Sequence, residues 1–268
     1  MSMDTELRLS KAYKNHRVFK ELDEMMDLFD SLSDRAMYFL PLGTKGFSNY
    51  ETYVFMSIQG TLDSIKTLLK IGRISDAFVL VRKVYDDILA EIYFSVTLKD
   101  KFDMMKGLYV DDVQQWLEST FRIPSIKKIL STLKTSDQTK ALFPFFGWKT
   151  YLEHNRKVLD DCVHSNSYSN ILFNCNTVYL EDKREKRLDG MSVLLKQLMM
   201  IQVSFIFYLS PQYMMASDCI DYLEAGMQPP QGSETWVASF AQEAFDKYIK
   251  RNEKLASFIK DNCCLEIS

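Results

Sequence analysis

Helix breakers are scarce in this sequence, which has nine glycines and six prolines in 268 residues. A collagen-like, proline-rich disordered or turn-dense all-β chain needs many more. A Rossmann or P-loop nucleotide site needs a glycine-rich phosphate turn, and none occurs here. Charge of one sign is also missing: 33 basic and 36 acidic residues leave a net charge of −3, so any nucleic-acid contact has to come from a local patch. The five cysteines (Cys162, Cys175, Cys219, Cys263 and Cys264) are odd in number and form no C-x-x-C. Met1 to Lys20 carries charges throughout, so no secretory signal is expected, and reduced thiols in a cytoplasm follow. Long apolar runs are lacking too. The most apolar stretch, Val193 to Leu209, is broken by Lys196, Gln197 and Gln202 and falls short of the roughly 20 residues a spanning helix needs. It is expected to be a buried core helix, with no membrane contact.

What is present is helical period. Val18, Leu22, Met25, Phe29, Leu32, Ala36 and Phe39 step by four and three, drawing one apolar stripe down a helix that ends at Pro41 and Gly43. Tyr50 to Ile71 repeats the pattern through Val54, Ile58, Leu62, Ile65 and Leu69, and closes at Gly72. Arg73 to Leu98 follows at once, with Ile74, Phe78, Val81, Tyr85, Ile88 and Ile92 on one side and Arg82, Lys83, Asp86 and Glu91 on the other. So short a connection predicts an antiparallel hairpin.

The middle is more broken. Short amphipathic pieces around Val113 to Leu117 and Ile126 to Leu133, with Pro124, Pro144 and Gly147 as breaks, predict three or four short helices before a helix over Lys149 to Val163. Ser165 to Asn176 is rich in turn and cap residues, and Ile171 to Phe173 can pair with Val178 to Leu180 as a small hairpin. Helix is expected again from Leu188 to Leu209, around Met214 to Ala225, and from Thr235 to Asp261, with Phe245, Tyr248, Leu255 and Ile259 as the last stripe and Ser233 as its cap. The whole predicts an all-α, single-domain bundle over residues 1–268, built of long antiparallel helices with a few short ones.

No H-E-x-x-H, Cys/His array, G-x-S-x-G or Walker loop is present, so neither a metal nor a cofactor is expected. Members of the pairs Asp86-Asp87, Asp111-Asp112 and Asp160-Asp161 point about 100° apart on a helix and read as solvated faces. One stretch stands out. His154, Asn155, Arg156, Lys157, Val158, Leu159, Asp160, Asp161, Cys162, Val163, His164, Ser165 and Asn166 hold two of the three histidines. It ends a basic segment, since Arg122 to Lys157 contains eight Lys/Arg and two acids. A histidine titrating near neutrality beside fixed cations supplies a proton carrier and positive charge for phosphodiester chemistry.

This stretch resembles the motif of the HEPN superfamily, α-helical bundles whose RNase members carry an Arg, four to six residues, then a His near a helix end. Here seven residues separate Arg156 from His164, and the six-residue register starts at Lys157. The resemblance implies RNA binding or metal-independent RNA cleavage of the toxin or phage-defence kind. His164 would be the acid/base, Arg156 or Lys157 would stabilise phosphate charge, and Asn155, His154, Asn166 and Lys149 would line the substrate. It also implies a homodimer and a protein partner or antitoxin. Cleavage requires His164 and a cation within a few ångströms of each other in an exposed cleft. The alternative is a non-enzymatic helical interaction subunit of a larger cytoplasmic assembly, in which His164 only caps a helix.

Lys183 to Arg187 reads as a solvated charge run, and Phe145, Phe146, Trp148 and Tyr151 as core. The Met pairs starting at Met25, Met104, Met199 and Met214 are expected to fill gaps in the core.

Overall fold

The computed structural model describes residues 9–105, 107–147, 152–174 and 181–268, the side chains of 181 and 182 aside. Lys149, Trp148, Tyr151, Cys175 and the expected strand Val178 to Leu180 lie outside the described residues. The chain is all-α: 70% is helix, and no strand forms among the described residues. The helices are α1 (Lys11–Lys14), α2 (Val18–Tyr38), α3 (Tyr50–Lys70), α4 (Ile74–Lys101), α5 (Asp111–Leu117), α6 (Ile126–Thr135), α7 (His154–Val163), α8 (Tyr168–Leu172), α9 (Glu181–Leu209), α10 (Asp218–Glu224), α11 (Ser239–Ala244) and α12 (Glu253–Asn262). Contacts divide the described residues into two compact units, one from 9–30, 54–89, 147, 152–174 and 181–198 and the other from 31–53, 90–105, 107–146 and 199–268.

In the first unit, Val18, Leu22, Met25 and Phe29 of α2 are buried as the stripe requires, and Phe29 meets Phe55 with ring centroids 6.1 Å apart. Each such side chain withdrawn from water contributes about 1.5–3 kcal/mol. The α3 to α4 turn is set by Gly72. Its φ is +77°, Arg73 N–H donates to Leu68 O at 2.9 Å, and Gly72 N–H donates to Leu69 O at 2.9 Å, the two bonds of a Schellman end. A side chain at Gly72 would also press on Arg184 Nη1 at 3.1 Å and Leu9 at 3.3 Å. The hairpin is antiparallel, since Lys83 of α4 donates to Ser57 and Thr61 of α3 at 3.1 and 3.2 Å. His16 begins α2: its Nδ1 accepts from Val18 N–H at 3.2 Å, and its Nε2 faces Asp189 at 3.3 Å.

The expected solvated run at 183–187 is partly interior. Arg184 is buried and donates to Gly72 O at 3.1 Å. Arg187 lies over the rings of Phe78 and Phe173, 5.2 Å from each, and bonds Asn170. Helix α9 starts seven residues before the expected Leu188, so these arginines sit on its buried side. The expected strand at Ile171 to Phe173 is not one: Ile171 and Leu172 lie in the short helix α8 and Phe173 is its C-cap. Turn-forming residues there serve as side-chain ties, with buried Asn170 donating to Asp161 O at 3.0 Å.

In the second unit, Phe94 stacks on Trp116 at 4.1 Å and Tyr50 meets the same indole edge-on at 5.6 Å. Phe146 stacks on Phe205 at 5.6 Å, and Phe145 meets Phe258 at 4.9 Å, so both are core. The long helix expected at 235–261 is broken. Ala238 N–H donates to Met214 O and Ala216 N–H to Trp236 O, at 2.9 and 2.8 Å, which holds 236–238 extended and delays the helix to Ser239. Ser233 opens a 3-10 turn instead of capping that helix. A π-turn over Phe245–Ile249 then ends the first piece, and Asn252 caps α12 by accepting from Leu255 N–H at 3.2 Å. Phe245, Tyr248, Leu255 and Ile259 are nonetheless all buried.

By length and composition, Lys183–Leu209 could cross a membrane, yet 72% of its apolar window is buried inside the chain. Its polar interruptions are each paired. Lys196 donates to buried Glu21 at 2.6 Å, Gln197 accepts from Asn155 at 2.8 Å, and Gln202 donates to Glu91 at 2.9 Å.

Candidate functional site

Helix α7 carries the residues singled out by the histidine motif, and the structure distributes them over different tasks. Arg156 is in an ion network: its Nε lies 3.4 Å from Asp160 and its Nη1 3.9 Å from Asp86. Arg82 pairs with both acids, reaching Asp160 at 3.0 Å. Asp86 of α4 and Asp160 of α7 therefore serve both arginines, and Asp87 pairs with Lys83. Asn155 is bound to Gln197. His154 and Lys157 are exposed. Arg156 and His164 are about 12 Å apart along the helix axis, and Lys157 and His164 about 10 Å. No hydrogen bond joins His164 to either cation.

His164 stands at the C-cap of α7 and is exposed. Asn166 N–H donates to Asp161 O at 3.1 Å and Ser165 N–H to Cys162 O at 3.4 Å, a second Schellman end, with Ser165 at φ +51° in the position glycine prefers. Asn166 adds a side-chain bond to Asp161 at 3.1 Å. Within the basic segment, residues up to 146 belong to the second unit and 152–157 to the first. Among the described residues, no three His, Cys, Asp or Glu side chains gather as metal ligands do.

The second unit holds a constellation that the sequence pattern missed. Glu91, expected on the polar side of its helix, is only 5% exposed, and Glu51 only 6%. Glu91, Ser95 and Lys99 follow one another at four-residue steps, so they form one line along α4, while Tyr50 and Glu51 come from the first turn of α3. Ser95 Oγ donates to Glu91 Oε1 at 2.9 Å and lies 3.4 Å from Glu51 Oε1. Its one proton favours the shorter bond, and the Tyr50 hydroxyl, 3.0 Å from Ser95 Oγ, also bonds Glu51. Gln202 Nε2 holds the other Glu91 oxygen at 2.9 Å, while Gln202 Oε1 has no hydrogen-bond partner among the described residues.

Burial first, and then the Glu51 charge, pushes Glu91 up to about 7. Burial also raises Glu51, against the hydrogen bonds of its own N–H, Tyr50 and Ser95 and the charge of Lys99. Protein crowding around the Lys99 ammonium lowers its pKa. Glu51 and Lys99 line a cavity of about 250 Å³ with Ser95, Tyr213 and the apolar side chains of Phe39 and Phe102. A sequence signal for this cluster exists: from Ile88 to Leu98, Glu91 is the only charged residue, so it sits in a stretch with too little polar surface for a solvated face.

The same unit carries an apolar rim. Leu40, Leu42 and Phe47 are exposed on one loop, and Met104, Met105, Leu108 and Tyr109 on another. The Met104-Met105 pair thus lies on the surface and fills no gap in the core. The two loops are held side by side, because Val110 N–H donates to Gly43 O at 2.9 Å, Lys45 N–H to Gln114 at 2.8 Å, and Lys45 Nζ sits 4.2 Å above the Tyr109 ring.

No family model, curated protein or solved structure matches this chain.

Proposed function

We propose that the chain is a non-enzymatic helical interaction subunit that pairs with a second copy of itself through the apolar rim of the second unit. The observation that carries this reading is the side-by-side exposure of seven large apolar residues, with Phe47 fully open at 103%. By ordinary side-chain areas they leave on the order of 1,000 Å² uncovered, against the roughly 800 Å² per partner of a stable interface and the few hundred Å² of a typical monomer patch. One self-complementary patch suffices for a two-fold dimer. Sedimentation should find a dimer at micromolar concentration, and Phe47→Ser with Met105→Ser should yield a monomer with unchanged helicity. A monomeric wild-type chain would overturn the pairing.

The RNA reading keeps one specific support: Lys157 and His164 are both exposed, and among the described residues no ion pair or hydrogen bond to another side chain engages either. If the chain cleaves RNA, cleavage should survive EDTA, leave a cyclic phosphate and fail on DNA, which lacks the 2′-hydroxyl. His164→Ala should then lose about 100-fold or more, and His16→Ala should lose far less. Full activity in the His164 variant would refute that role.

A further inference from the structure

We propose that the cavity between Glu51 and Lys99 in the second unit binds a small zwitterion with an apolar body, its ammonium at Glu51 and its carboxylate at Lys99. The site borders the apolar rim and shares Leu40 and Leu42 with it, but its charged walls do not depend on pairing. Its two charged walls come from separate helices, α3 and α4, and are not closed on each other: no ion pair within hydrogen-bonding reach joins Glu51 to Lys99, and Lys99 makes no hydrogen bond to any described residue. Opposite charges that share a cavity and stay apart leave room for a molecule carrying both signs. A ligand of one sign would satisfy one wall and be repelled by the other.

The donor count at Glu51 points the same way. Ser95 has one hydroxyl proton, and the 2.9 Å bond to Glu91 takes it in preference to the 3.4 Å approach to Glu51. Glu51 is thus served mainly by its own N–H and Tyr50, and since a carboxylate accepts at about four positions, an ammonium with three donors still finds places on it. The remaining wall is mixed: Phe39 and Tyr213, with ring centroids 5.7 Å apart, form an aromatic part with Leu42 and Phe102 beside it, and Asn49, Ser210 and Gln212 add polar groups. A volume of about 250 Å³ equals about eight waters at ~30 Å³ each, the size of a molecule with about eight to ten non-hydrogen atoms. The class that fits is a free amino acid with a branched or compact apolar side chain.

Calorimetric titration of the full-length protein with L-leucine, isoamylamine and 4-methylpentanoate tests this, since the last two each lack one charge. Saturable binding of L-leucine at least tenfold tighter than either analogue is expected. Glu51→Gln and Lys99→Met should each weaken it at least tenfold while circular dichroism stays native. The Phe47→Ser, Met105→Ser variant, whose changes lie outside the cavity lining, should bind as wild type does, so a failed dimer leaves this site standing. Equal binding of L-leucine and a singly charged analogue would overturn the proposal. So would binding unchanged in both variants, or no binding of L-leucine or L-phenylalanine at millimolar concentration.

Discussion

The end of α7 and the α3–α4 cavity hold the same kinds of side chain under opposite conditions. At α7, Lys157 and His164 stand in water, and Arg156 is neutralised by acids at the surface. At the cavity, Glu51 in the wall and Glu91 behind it are withdrawn from water and share a single serine. A charge in water is compensated by solvent and imposes nothing on its neighbours. A withdrawn one has to be met by protein groups at fixed distances, and that requirement shapes a site. The motif with chemistry in its spelling therefore turns out to be the less organised of the two regions.

The sharpest way to break this comparison is to bury an acid without partners. Val81 and Ile88 are fully buried, so Val81→Asp or Ile88→Asp should unfold the protein. An unpaired buried charge costs several kcal/mol against a total stability of roughly 5–15. An unchanged thermal melt in both variants would contradict the packing described.

Next in size is the partnered acid. The folded pKa of Glu91, about 7, lies above its ordinary 4.5, so between these values the folded state holds a proton that the unfolded state has released. Its contribution is fully present below about pH 4.5 and is lost as pH rises through 7, for up to about 3 kcal/mol. Glu91→Gln should remove that pH dependence and gain stability at pH 8 relative to wild type, as urea melts at pH 5 and 8 would read. A wild-type stability that rises from pH 5 to 8, with no difference in the variant, would count against the buried cluster.

Helix ends give a smaller effect. Ser119 and Ser165 sit at φ +59° and +51°, each closing a Schellman end, where Gly72 does so at another helix. Ser119→Gly and Ser165→Gly should each raise stability by roughly 0.5–1 kcal/mol, as relief of the left-handed conformation outweighs glycine's unfolded-state entropy. Smallest of all are the motif residues themselves. Arg156→Ala should cost about 1 kcal/mol or less, since its ion pairs are solvent-screened, and His164→Ala should stay within about 0.5 kcal/mol. A large loss at His164 would mean that its side chain has a structural task after all.

The α2 stripe, the Gly72 turn and the interior α9 were legible because each depends on local spacing. Glu91 was misplaced because helical angle alone assigns a side, while the depth of burial depends on what packs there. The second half of α4 meets other helices over so much of its surface that residues 91–97 are all buried. Arg184 and Arg187 were misread for the same reason, since a charge run has no spelling that distinguishes water from a carbonyl such as Gly72 O. The break at 236–238 comes from a main-chain bridge to residues 214–216, a pairing no local pattern announces.

By itself the sequence determined the helical class, the hairpin through Gly72 and most of the apolar stripes. Helix formation and its termination are governed by groups within four or five positions of each other, and those are adjacent in the text. Only the tertiary structure decided which charges are interior, that Lys196, Gln197 and Gln202 of one apolar helix answer to Glu21, Asn155 and Glu91, and that Glu51 and Lys99 face one cavity. Those partners are separated by tens to more than a hundred positions. The free energy of burying a polar group depends on the group that meets it in space.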